Sequence, residues 1–127
     1  MKSAWLAVLG YMGVIFFLSG TSFHSQLFQQ VEKNHVDKLV HIVEYSVLGF
    51  LLARALQISG MRPFGVMFFA AVLIIGVAWA ASDEYHQSFV PNRDASVYDG
   101  MADTVGLSIG AWKWVRRQKK VKDQCLK

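Results

Sequence analysis

Cysteine is almost absent from this sequence: Cys125 is the single one in 127 residues, so no intrachain disulfide can form. Proline is nearly as scarce, with only Pro63 and Pro91. Both fall in short connections, which leaves the long apolar stretches uninterrupted. Charge is sparse at 17% of residues. The alternating pattern of a membrane barrel, internal repeats and low-complexity segments are also missing. There is no His-Glu-x-x-His zinc pair and no obvious nucleophile, which weighs against a hydrolase.

Apolar residues are abundant, at 54% of the chain with a mean hydropathy of +0.31, and they are gathered into blocks. A membrane-spanning helix needs about 20 mostly apolar residues to cross about 30 Å of hydrocarbon. Four segments come close: Ala4 to Leu18, Leu39 to Leu56, Phe64 to Ala81, and Val97 to Val115. The expectation is an all-α integral membrane four-helix bundle forming a single domain over 1–127. Its helices should cover about 4–20, 37–57, 64–87 and 95–115, followed by a basic tail over 116–127. Lys2, the apolar run after it, and Ser19 and Gly20 also resemble a secretory signal; the cleavage pattern is weak, and an uncleaved first helix is favoured.

Cationic residues favour the cytoplasmic face. Lys113, Arg116, Arg117, Lys119, Lys120 and Lys122 form the densest cationic stretch. The C-terminus is therefore expected inside, together with Lys2 and the loop between Arg54 and Arg62. Glu32, Asp37, Glu44, Asp83, Glu84, Asp94, Asp99 and Asp103 then fall on the outer side, leaving only Asp123 within. The pI of about 9.4 thus hides a dipolar arrangement. The basic tail is explained by topology and contact with anionic lipid, with no nucleic-acid site implied.

The richest stretch is Ala80 to Asp99, which packs acids, His86, Gln87 and Arg93 between two apolar segments. Ionisable groups at the mouth of a membrane bundle are functional candidates because lipid penalises them. On the second helix Asp37, His41, Glu44 and Leu48 share one stripe, with Tyr45 at its margin. Asp83 and Gln87 share a face of the third helix, with Glu84 about 100° away. Asp99 and Asp103 open the fourth at i, i+4. Below them Ala102, Gly106 and Gly110 form a small-residue stripe that lets another helix approach.

Lys38, His41 and Arg93 are the available partners for so many carboxylates, and Arg93, on the short outer hairpin, can clamp them with its planar fork. Remaining charge calls for carboxyl protonation, a cationic ligand group or a divalent cation, for which Asp83, Glu84, Asp99 and Asp103 are the candidate ligands. Taken singly, these residues have plainer readings. His41 alone reads as a helix-packing hydrogen bonder, Tyr45 as an interfacial anchor, Asp94 as a solvated turn residue or helix N-cap, His86 as outward-facing, and His24 and His35 as loop polarity.

Three pieces of this pattern resemble the VanZ-like membrane proteins, a family named after a protein associated with reduced sensitivity to the glycopeptide teicoplanin. Asp37, Lys38, His41, Glu44 and Tyr45 are similar to its Asp-Lys-x-x-His-x-x-Glu-Tyr opening of a helix. Asp83, Glu84, Gln87, Phe89, Pro91 and Arg93 are similar to its Asp-Glu-x-x-Gln-x-Phe-x-Pro-x-Arg segment, and Asp99 to the Asp that opens the final helix. The resemblance covers roughly Asp37 to Gly110. The sequence departs from it at Asp103, where Asn is common, and at Asn92, where Gly often precedes the Arg.

The residues and the resemblance together lead us to expect a multi-pass protein of the bacterial cytoplasmic membrane, among lipids, with a polar pocket open to the outer leaflet. Three functions are compatible with it. The first is binding of an amphipathic envelope molecule (a lipid head group, lipid-linked glycan or lipoglycopeptide), with a contribution to teicoplanin-type resistance. The second is metal-assisted or acid/base hydrolysis or transfer on a lipid-linked substrate, with His41, Asp83 and Glu84 as catalytic candidates. The third is a small accessory subunit of a membrane complex.

Overall fold

The computed structural model describes residues 1–20, 36–89 and 97–125. Four helices fill these segments: α1 (Lys2–Ser19), α2 (Val36–Ile58), α3 (Val66–Gln87) and α4 (Val97–Cys125), with no strand among the described residues. Three of them, over Lys2–Ser19, Lys38–Ile58 and Val66–Gln87, are long and apolar enough to cross a membrane. They are apolar nearly all round: Leu6, Leu9, Phe17, Val43, Met67 and Ile74 point away from the bundle. Such a surface suits lipid contact and would be a liability in water.

α4 does not qualify as a span by length and composition, because Asp99, Asp103 and Lys113 interrupt its apolar stretch. Packing accommodates the two acids. Asp99, Ala102, Asp103, Gly106, Leu107, Gly110 and Ala111 recur at helical spacing and are all buried, so the two acids face protein, while Lys113 is exposed farther along the helix. The helix also continues through the basic residues that the sequence reading treats as a tail. Its 29 residues reach roughly 43 Å at about 1.5 Å per residue, more than a hydrocarbon core of about 30 Å.

Long-range hydrogen bonds fix the direction of each helix. Trp5 Nε1 at the start of α1 donates to Ser59 Oγ just past α2, at 2.9 Å. Ser19 Oγ at the end of α1 donates to Asp83 Oδ1 near the end of α3, at 2.6 Å. Lys38 Nζ lies 3.5 Å from Asp99 Oδ1, joining the starts of α2 and α4, while Trp114 Nε1 donates to Gln57 Oε1 at 2.6 Å farther along both. The helices therefore alternate up and down, and α2 and α4, which are not neighbours in sequence, run parallel and side by side. The tight connection between α2 and α3 turns at Gly60, whose φ of 101° is left-handed. There Gly60 N–H donates to Gln57 O and Met61 N–H to Leu56 O, at 2.9 and 3.0 Å, closing α2 with the paired C-terminal bonds that a glycine makes accessible.

Glycines set the α2–α4 distance, as the small-residue stripe predicts. A Cβ on Gly106 would lie 2.5 Å from Ile42 O, and one on Gly110 would strike Ser46 O. The stripe has a counterpart the sequence reading missed. Gly49 of α2 faces the Leu107 backbone and Gly76 of α3 faces its side chain, so Leu107, fully buried, plugs the space between three helices. Tyr45, read as an interfacial anchor, is instead 1% exposed and packed beside Gly106. Close approach of α4 leaves its ring no path to the membrane surface.

Candidate functional site

One end of the bundle gathers the polar residues: the ends of α1 and α3 meet the starts of α2 and α4. Asp83 is the hub. Its Oδ1 accepts from Ser19 of α1, and its Oδ2 accepts from Gln87 Nε2 one turn along α3 at 2.7 Å, with Asp83 and Gln87 both 3% exposed. The shared face expected for Asp83 and Gln87 is thus a direct bond. Each oxygen has a donor, as a buried carboxylate requires.

Beside this hub, His41 Nδ1 lies 2.9 Å from Asp103 Oδ1, and both side chains are buried. The i, i+4 register on α4 brings Asp99 one turn outward, where Lys38 partners it. One cross-helix ion pair, Lys38–Asp99, and one buried hydrogen bond, His41–Asp103, therefore tie α2 to α4. Glu44 is half-buried, one turn below His41; Tyr11 Oη donates to its backbone carbonyl at 3.2 Å, which adds α1 to the assembly. Glu84 is half-buried on the adjacent face of α3. It closes one end of an open groove of about 700 Å³ between α3 and α4, whose apolar walls include Val77, Ala81, Val97, Met101 and Val105.

Of the candidate residues, the structure thus brings Lys38, His41, Asp83, Gln87, Asp99 and Asp103 into bonded groups at one end, with Glu44, Tyr45 and Glu84 around them. Arg93 and Asp94 lie outside the described residues, as do His24, His35 and the side chain of Asp37. Among the described residues, no three His, Cys, Asp or Glu side chains converge as metal ligands. Both oxygens of Asp83, and Oδ1 of Asp99 and of Asp103, meet side chains of neighbouring residues.

Two site residues escape the sequence reading. Ser19 looks there like part of a cleavage signature, yet it is 7% exposed and bonded to Asp83. His86 looks outward-facing, yet it is half-buried and stacks on Phe16 with ring centroids 4.0 Å apart. A Cβ on Gly20 would lie 2.9 Å from His86 Cε1, so the ring caps the end of α1. His86 Nδ1 is buried with no hydrogen-bond partner among the described residues. The short polar run at the end of an otherwise apolar α1 is the only signal that points to Ser19.

An apolar helical bundle whose polar side chains are bonded across helices at one end defines a membrane protein with a terminal polar cluster. The chain belongs to the VanZ/LLP1 family, whose sequence model matches residues 4–117. No curated protein and no solved structure matches it.

Proposed function

We propose that this protein works in the envelope of a bacterial cytoplasmic membrane, with its polar cluster open to the outer leaflet. There it binds the head group of an amphipathic envelope molecule, a lipid, lipid-linked glycan or lipoglycopeptide, and by doing so contributes to teicoplanin-type resistance. The observation that carries this reading is continuity. The α3–α4 groove runs from Glu84, beside the cluster, along exposed apolar residues such as Met101 and Val105. A polar head and an apolar chain each meet matching chemistry along one path.

A photocrosslinking residue in place of Met101 should capture an envelope lipid. Glu84→Gln, which keeps the shape and removes the charge, should lower that adduct about fivefold, the effect of one charge-assisted contact. An adduct indifferent to Glu84 would mean bulk lipid only and would sink the reading.

The outward orientation is supported by Arg54, Arg62 and the basic half of α4 lying at the opposite end from the acids. Cysteines introduced at Lys33 or Asn92 should therefore react with an impermeant maleimide in intact cells, and Cys125 only after lysis. Reaction of Cys125 in intact cells would invert the topology.

One observation favours an enzyme as the second reading. With Asp103 ionised, its carboxylate at His41 Nδ1 would hold the imidazole proton on that nitrogen, the arrangement of an oriented general base. On this reading Asp103→Asn should abolish turnover of a lipid-linked substrate while the Met101 adduct persists.

A further inference from the structure

The end of the bundle opposite the polar cluster carries a recess of opposite charge. Phe50 and Arg54 of α2 face Trp114, Arg117, Gln118 and Val121 of α4 across a space of about 430 Å³. Its wall is held by contacts between the two helices. Trp114 Nε1 donates to Gln57 Oε1 at 2.6 Å, and Gln57 Nε2 donates to Gln118 Oε1 at 3.3 Å. The Phe50 ring meets Trp114 nearly edge-on, with centroids 5.1 Å apart. α2 and α4 are thus locked together where the two arginines leave them. Both arginines are exposed, and among the described residues neither pairs with a carboxylate.

The depth of this recess follows from its tryptophans. Trp114 lines it, Trp5 is bonded to Ser59 at the same end, and Arg116 lies over the Trp112 ring at 4.2 Å. Tryptophan concentrates at the head-group level of a bilayer, and these residues favour placing the opening at the height of lipid phosphates. Guanidinium groups from two separate helices line the recess, and such groups match the oxygens of a phosphate, which they can hold in bidentate fashion. Phe50 and Val121 add apolar contact that a free anion would not use and a lipid would.

We infer that the recess between Arg54 and Arg117 binds the phosphate of an anionic phospholipid. This site shares no residue with the polar cluster, and it stands or falls independently of the function proposed there. It gives the basic end of the protein a specific lipid contact in addition to its role in topology.

The test is native mass spectrometry of the full chain in detergent, with equal phosphatidylglycerol and phosphatidylcholine added. Wild type should retain phosphatidylglycerol in preference. Arg54→Gln and Arg117→Gln should each reduce that retention about tenfold with phosphatidylcholine unaffected, and Arg→Lys at either position should fall between. Lys119→Gln and Lys122→Gln remove the same charge from residues that do not line this recess, and should change retention less than twofold. Equal losses in the lysine variants would mean diffuse attraction to the basic helix and overturn the site. Displacement of the lipid by glycerol phosphate at equal concentration would make the anion alone the ligand and overturn the lipid assignment. Thermal melting of every variant distinguishes loss of the site from loss of the fold: a glutamine variant that melts like wild type and still retains phosphatidylglycerol refutes the proposal.

Discussion

Gly106→Leu should largely abolish accumulation of folded protein. A Cβ at this position would lie 2.5 Å from Ile42 O and 3.0 Å from Tyr45 Cβ, so the obstacle is the α2 backbone and a fully buried ring. Neither can rotate out of the way. Overpacking a core typically costs about 1–3 kcal/mol when side chains can adjust. Separating two helices also breaks the cross-helix polar bonds above the contact, so a loss of about 3 kcal/mol or more is expected, against a total stability on the order of 5–15 kcal/mol. The informative control is Gly10→Leu or Gly13→Leu in α1. A Cβ at either site meets nothing within 4 Å, and such surface changes usually stay within about 0.5 kcal/mol. Thermal melting and size-exclusion profiles in detergent measure the contrast. If Gly106→Leu melts like wild type, α2 and α4 are not in contact through this face.

The second large effect is expected at the buried His41–Asp103 pair. Asp103→Leu removes one partner and leaves a buried imidazole nitrogen facing an apolar side chain, and a buried polar group left without its hydrogen bond costs about 1–3 kcal/mol. Adding His41→Leu should recover much of that loss, because replacing both members of such a pair with apolar residues is often neutral. A double-mutant cycle from melting or denaturant titration gives the coupling directly, with about 1 kcal/mol or more expected for groups in contact. Any envelope phenotype should be lost in the single and the double variant alike. That split matters: a stable double variant without phenotype separates the site from the scaffold, whereas a stable double variant with full phenotype would make His41 and Asp103 structural only.

Much of the site is legible in the sequence because helical periodicity fixes which residues share a face. Asp83 with Gln87, and Asp99 with Asp103, follow from spacing alone, and so does the small-residue face of Ala102, Gly106 and Gly110. The failures have identifiable causes. Tyr45 borders a polar stripe and carries a hydroxyl, so it reads as interfacial; only the closeness of α4 buries it. Ser19 has no local sign of its role beyond the polar run that ends α1, because its partner Asp83 belongs to a different helix. His86 lies next to Gln87 but points to another side of α3, where Phe16 receives it.

The sequence by itself determined that there are long apolar helices broken at Gly60 and Pro63, that acidic and basic residues divide along the chain, and which side chains share a helical face. These are local properties, set by hydropathy, backbone preference and the 3.6-residue period. Tertiary structure alone decided that α4 lies parallel against α2, that Leu107 fills the space between Gly49 and Gly76, and that Ser19 and Gln87 take the two oxygens of Asp83. It also brought Arg54 and Arg117 to one recess. A period specifies a face but not the face it meets. Which helices meet depends on backbones approaching to contact distance, and that distance is set jointly by glycines and side chains on different helices.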